Sequence, residues 1–136
     1  MMRFRMFRIN VEQFAILVEN FPLEKLNIAT GLEVKYSLEG KSLAIVMTFN
    51  FISEEEKVML LKLNCEFQIQ EDDWNGQIND SRIIIPKSFI EYLVVQTVGT
   101  ARGILHCKTE GTAFNHIILP PMNVSDMING DMIINL

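Results

Sequence analysis

This sequence lacks most of what marks a catalytic, secreted or nucleic-acid-binding protein. Its 136 residues contain two cysteines, Cys65 and Cys107, and neither sits in a Cys-x-x-Cys pair. That leaves no disulfide framework, and a small buried residue in a reducing compartment is the default role for each. No apolar run approaches the roughly 18 residues that a membrane helix needs. The opening MMRFRMFRINVEQF carries the arginines of a signal peptide, but Asn10, Glu12 and Gln13 interrupt the apolar core such a peptide requires, so a cytoplasmic location is expected. Basic residues are the minority, 12 against 17 acidic, for a net charge of −5. With a pI near 5.0 and no basic stripe, nucleic acid is not an expected partner.

Catalytic equipment is missing as well. There is no phosphate loop, nucleophile elbow or His-Glu-x-x-His. Gly99 and Gly103 lie inside a helical pattern rather than after a strand, which is not how a nucleotide cradle is built. His106 and Cys107 are adjacent and His116 follows nine residues later; consecutive side chains diverge, so no metal site is expected. Glu54-Glu55-Glu56 and Asp72-Asp73 read as solvated loops. Asn123-Val124-Ser125 matches a glycosylation sequon without a secretion signal beside it. An enzyme is not the favoured reading, and no cofactor is expected.

What is present is apolar. The hydrophobic fraction is 49% with 8 methionines, and mean hydropathy is +0.18, at the high end for a soluble domain. Methionine fills core gaps but also serves adaptable binding surfaces. No repeat, low-complexity tract or linker divides the chain, so residues 1–136 are expected to form one domain, long enough to bury roughly two-thirds of its unfolded surface.

The first half alternates with the period of strands. Leu32, Val34, Tyr36 and Leu38 oppose Glu33, Lys35, Ser37 and Glu39. After a turn at Gly40-Lys41, Leu43, Ile45, Met47, Phe49 and Phe51 share one face. Beyond the polar loop Ser53–Glu56, Leu61, Leu63, Cys65, Phe67 and Ile69 alternate with Lys62, Asn64, Glu66, Gln68 and Gln70. The N-terminal stretch is extended too, with Phe7, Ile9 and Val11 on one side. Its apolar phase slips between Met6 and Phe7, as at a β-bulge. Glu71–Asp80 reads as a loop with a tight turn at Asn75-Gly76.

The second half opens with Pro86, suited to a first helical position. Phe89, Ile90, Leu93, Val94, Ala101, Ile104 and Leu105 then fall near one helical face. With few polar residues to interrupt it, this helix has more apolar circumference than one sheet covers. The small residues Thr97, Gly99, Thr100, Ala101 and Gly103 would let another backbone approach. Two explanations fit: full burial within a monomer, or a helix between the sheet and a second subunit. Near the end, Ile117–Leu119 read as a strand stopped by Pro120-Pro121, with Asn123 as N-cap of a short helix.

Together these elements describe an α+β protein: a four-stranded antiparallel meander with one long helix and a short C-terminal helix on one face. That order resembles the SecB family of export chaperones. The most specific stretch is GTAFNHIILPPMNVSDMI, where Gly111, Leu119, Pro120, Pro121, Met122 and Asn123 match the family pattern. Ile85-Pro86 ahead of the long helix is a second match. The hairpin Leu43–Ile69, with Cys65 in its second strand, is a third. The likeness spans nearly the whole chain, through short motifs. EDDWNGQIND replaces a bulkier connection, Lys87, Ser88 and Phe89 stand where aromatic and Arg-Glu residues often follow the proline, and the helix-to-Gly111 segment is longer.

The resemblance implies a cytosolic homo-oligomer, a dimer of dimers with the long helices packed between paired sheets, and Thr97, Gly99, Thr100, Ala101 and Gly103 at the interface. It implies ATP-independent holding of unfolded polypeptide clients in apolar grooves, with Phe67, Ile69, Trp74 and Ile78 as candidate groove residues. For Trp74, a loop residue folded onto its own core is the competing reading. No cysteine or histidine follows His116, so zinc-independent behaviour is expected. A translocase motor is then expected to bind weakly and salt-sensitively, through acidic side chains such as Glu33, Glu39 and Glu66. Two other functions fit the composition: a module dedicated to one protein partner, and a hot-dog-type small-ligand enzyme, although hot-dog chains place their helix before most strands.

Overall fold

In a computed structural model, which describes residues 1–19 and 25–136, the alternating segments pair into one antiparallel sheet. Its strands are β1 (Phe4–Ile16), β2 (Leu26–Ser37), β3 (Ser42–Ser53) and β4 (Glu56–Ile69), in the order β1-β4-β3-β2. The meander therefore runs through β2, β3 and β4, while β1 closes on β4 rather than β2. Every expected core position on β3 from Leu43 to Phe51 and on β4 from Leu61 to Ile69 is buried. Each such side chain contributes about 1.5–3 kcal/mol by leaving water, and together they form the floor of the core.

The slip at Met6 is present as a register shift between Met6 and Arg8, and a second shift follows between Val11 and Gln13. The bulges aim Phe4, Val11 and Phe14 partly inward but leave Phe7 and Ile9 exposed, so the expected Phe7–Ile9–Val11 face does not hold together. Phe4 stacks edge-on against Phe67, Phe89 and Tyr92, with centroids 5.6–5.8 Å apart, and ties β1 to the long helix.

Glu71–Asp80 is more ordered than a loop. Helix α1 (Glu71–Asn75) is followed by the two-residue strand β5 (Ile78–Asn79), which turns through Asp80 and Ser81, both at positive φ, into β6 (Arg82–Ile85). The expected turn at Asn75-Gly76 is present, closed by the Gln77 N–H donating to the Trp74 carbonyl at 3.0 Å with Gly76 at an ordinary φ of −65°, and a second tight turn lies at Asp80-Ser81. The strand β7 (Met132–Asn135) completes a small sheet, β5-β6-β7.

Helix α2 (Lys87–Lys108) lies on the large sheet, with Phe89, Ile90, Leu93, Val94, Thr97, Val98, Ala101 and Leu105 buried. Pro86 occupies the N-cap rather than the first turn and offers no capping side chain. The carboxylate of Asp131, just before β7, accepts the Lys87 N–H at 2.8 Å, supplying both the missing cap and a favourable charge for the helix dipole. At the other end, Thr109 donates to the Leu105 carbonyl and Asn115 to that of His106. Gly111 then turns the chain at φ +77°, a conformation costly for a residue with a Cβ.

Beyond Gly111 the chain differs from expectation. Residues 117–119 form no strand, although Ile117 and Leu119 are buried and Ile118 is exposed. Val124–Met127 is a single 3₁₀ turn, and the Asn123 side chain donates to Asp126 at 2.9 Å instead of accepting from the helix amides. None of the helices among the described residues is long and apolar enough to cross a membrane.

Candidate functional site

Three of the four groove residues suggested by the sequence are interior. Phe67, Ile69 and Trp74 are 0%, 2% and 2% exposed, and only Ile78 stands open, at 45%. Trp74 sits on the inner side of α1 and joins the core, which is the folded-back reading. A cleft of about 500 Å³ does lie beside α1, but Asp72, Asp73, Gly76 and Gln77 are among its walls and none of the four suggested residues lines it. Ile69 lines a neighbouring cleft of about 350 Å³ together with Phe4, Arg3, Arg5 and Glu71, without the other three suggested residues.

Arg3 closes this region. Its backbone N–H donates to Asp73 at 2.7 Å, and its Nε and Nη2 donate to the same carboxylate at 3.0 and 3.2 Å. These bonds hold the Asp73 carboxyl below the usual aspartate range, the side-chain bond from Arg3 being the largest cause. Burial pushes the Cys65 thiol up, partly offset by hydrogen bonds with Thr97 and Thr100. Such a thiol is a core residue rather than a nucleophile.

The small-residue stripe of α2 divides between two faces. Thr97 and Ala101 are fully buried under the chain's own sheet, and Thr100 is half-buried with its hydroxyl bonded to the Gln96 carbonyl at 2.9 Å. Gly99 and Gly103 are exposed, and a Cβ at either would meet nothing within 4 Å. They share the outward face with Tyr92 and Val95. Thr97 and Ala101 therefore leave the list of interface residues, while Gly99 and Gly103 remain available to a second backbone.

The acidic sheet face is largely neutralised. Arg8 holds Glu66 at 3.0 Å and Lys62 holds Glu12 at 3.4 Å. Glu39 lies in the β2–β3 turn, off the sheet, which leaves Glu33 as the acidic group of the three that faces solvent from a strand without an ion pair among the described residues.

The open apolar surface lies where α2 meets the Leu-Pro-Pro strap. A groove of about 480 Å³ runs between Val95, Val98 and Arg102 on the helix and Ile118–Met122 on the strap, with Val124 at one end. Leu119 anchors the strap in the core, while Val95 and Ile118 are 53% and 62% exposed. The strap belongs to no sheet, so its carbonyls need donors from elsewhere. Arg102 provides them: Nε donates to the Leu119 carbonyl at 2.7 Å and Nη2 to that of Pro120 at 3.2 Å. Sequence reading marked Leu119–Asn123 as distinctive but missed this groove. An isolated arginine seventeen residues before a strand-less Leu-Pro-Pro carries no local signature.

Among the described residues no group of three or more His, Cys, Asp or Glu side chains is placed to hold a metal ion. Fold and site together define an α+β sheet-and-helix protein with an apolar, arginine-floored groove. No protein-family model matches this chain, and no curated protein is significantly similar to it. Among solved structures it is similar to a protein of unknown function from Streptococcus agalactiae, at 17% identity and a TM-score of 0.47, over 90% of this chain and 98% of that one.

Proposed function

We propose that this protein is a SecB-like, ATP-independent holdase that takes apolar polypeptide segments into the groove between α2 and the Leu-Pro-Pro strap. The reading rests on one observation: an open groove whose side chains are apolar apart from Arg102, with Val95 and Ile118 both more than half exposed along it. Transfer of apolar client surface from water into such a groove drives binding without nucleotide. Support also comes from position, because the strap residues Leu119–Met122 belong to the stretch that resembles the SecB family.

Self-association is part of the same reading. Gly99 and Gly103, with the partly exposed Tyr92 and Val95 beside them, give α2 an outward face that the described residues leave open at both glycines. Contact with a translocase motor would be weak, since Glu66 is already engaged by Arg8.

A second reading, a module serving one dedicated partner, is favoured by the single defined cation in the groove. Titration with several unrelated denatured proteins separates the two. A holdase suppresses aggregation of each; a dedicated module suppresses none or one. Replacing Val95 and Ile118 with serine should weaken suppression in either case where it occurs.

A further inference from the structure

Arg102 is the only charged side chain lining the groove, and it makes no ion pair with any carboxylate among the described residues. A guanidinium carries five N–H donors and stays protonated. Two are directed to the Leu119 and Pro120 carbonyls, leaving Nη1 and the second Nη2 hydrogen without an acceptor among the described residues. The two carbonyl bonds fix the fork in place, so a further acceptor would meet it with little added ordering cost. Arg5, Lys25, Lys35, Lys57, Arg82 and Lys108 also lack a carboxylate partner among the described residues, but all of them are exposed, which leaves Arg102 as the part-buried cation among those residues with no carboxylate beside it.

We propose that this groove binds the C-terminal end of a polypeptide, with the terminal α-carboxylate on Arg102 and the last apolar side chains against Val95 and Ile118. Charge complementarity decides the occupant. A half-buried, uncompensated cation between apolar walls favours an anion that brings apolar groups with it. A chain terminus does this compactly, because its carboxylate is on the backbone itself, next to the final side chain. An interior segment would seek main-chain partners, yet Pro120 and Pro121 have no N–H and the amides of α2 are spent within the helix.

This inference rests on the groove being a binding site, and the experiment keeps the two apart. Fluorescein-labelled hexapeptides of identical apolar sequence, one with a free C-terminal carboxylate and one amidated, are titrated against the unaltered protein by polarisation. The acid is expected to bind about tenfold tighter, the low end for a charge-assisted hydrogen bond at a half-exposed site. Arg102→Gln should bring the acid down to the affinity of the amide, Arg102→Lys should retain part of the preference, and Val95→Ser with Ile118→Ser should weaken both peptides. Equal binding of acid and amide, or acid binding indifferent to the Val95 and Ile118 changes, overturns the carboxylate assignment. Failure of both peptides to bind also overturns it. The groove reading falls only if the Val95 and Ile118 replacements leave client aggregation unaffected.

Discussion

Arg3 and Asp73 join the start of the chain to the far side of β4, and their pairing is pH-sensitive. The Asp73 carboxyl is held below its ordinary value by Arg3. A depressed folded value means the contribution is present above the unfolded aspartate pKa, about 3.9, and is lost as pH falls through the lower folded value. Urea midpoints measured at pH 5 and pH 2.5 should therefore differ less in Asp73→Asn than in the parent. An unchanged difference would mean the pair contributes nothing in solution. Trp74 belongs to the same neighbourhood, and its burial turns a suspected client contact into a core contact. Trp74→Ala should cost about 3–5 kcal/mol. The native emission should be blue-shifted and stay unchanged on client addition; a client-dependent shift would show that Trp74 lies in the groove after all.

At the scale of elements, strict alternation made β3 and β4 readable in advance, because each has one dry and one wet face and the apolar period is unbroken. The bulge near Met6 was readable for the same reason, as a fault in that period. The small sheet was not. Its strands Arg82–Ile85 and Met132–Asn135 are four residues long and isoleucine-rich, too short for a period to emerge. In the helix the error was angular. Residues two apart on an α-helix are separated by about 200°, so Thr97 and Ala101 cannot share a face with Gly99 and Gly103. That geometry also decides the test. A charge at Ala101 would break the chain's own core, whereas Gly99 and Gly103 have open space around them. Alanine at either should stabilise an isolated chain by about 0.5–1 kcal/mol through lost unfolded-state freedom. Leucine at both should leave the circular dichroism native but shift sedimentation towards smaller species if α2 packs on a second copy. A parent protein that sediments as a monomer at micromolar concentration would rule out that packing.

For the whole molecule, burial has moved the candidate site from the β4–α1 region to the contact between α2 and the strap. The core takes up Phe67, Ile69 and Trp74, whereas the groove of Val95, Ile118 and Arg102 stays open. Sequence alone marked the Leu-Pro-Pro stretch as the stop of a strand and as the most specific SecB-like motif, but not as the wall of a groove. Its contribution to a groove depends on Arg102 bonding its carbonyls, a contact that only the folded chain brings about.

The most direct measurement is light scattering from a chemically denatured client diluted into this protein, with and without ATP, beside Val95→Ser with Ile118→Ser. The account predicts suppression at near-stoichiometric ratios, no effect of nucleotide, and a several-fold loss in the double variant, in line with the apolar area removed. Suppression no better than that of an inert protein of equal charge, or a double variant as effective as the parent, would contradict it.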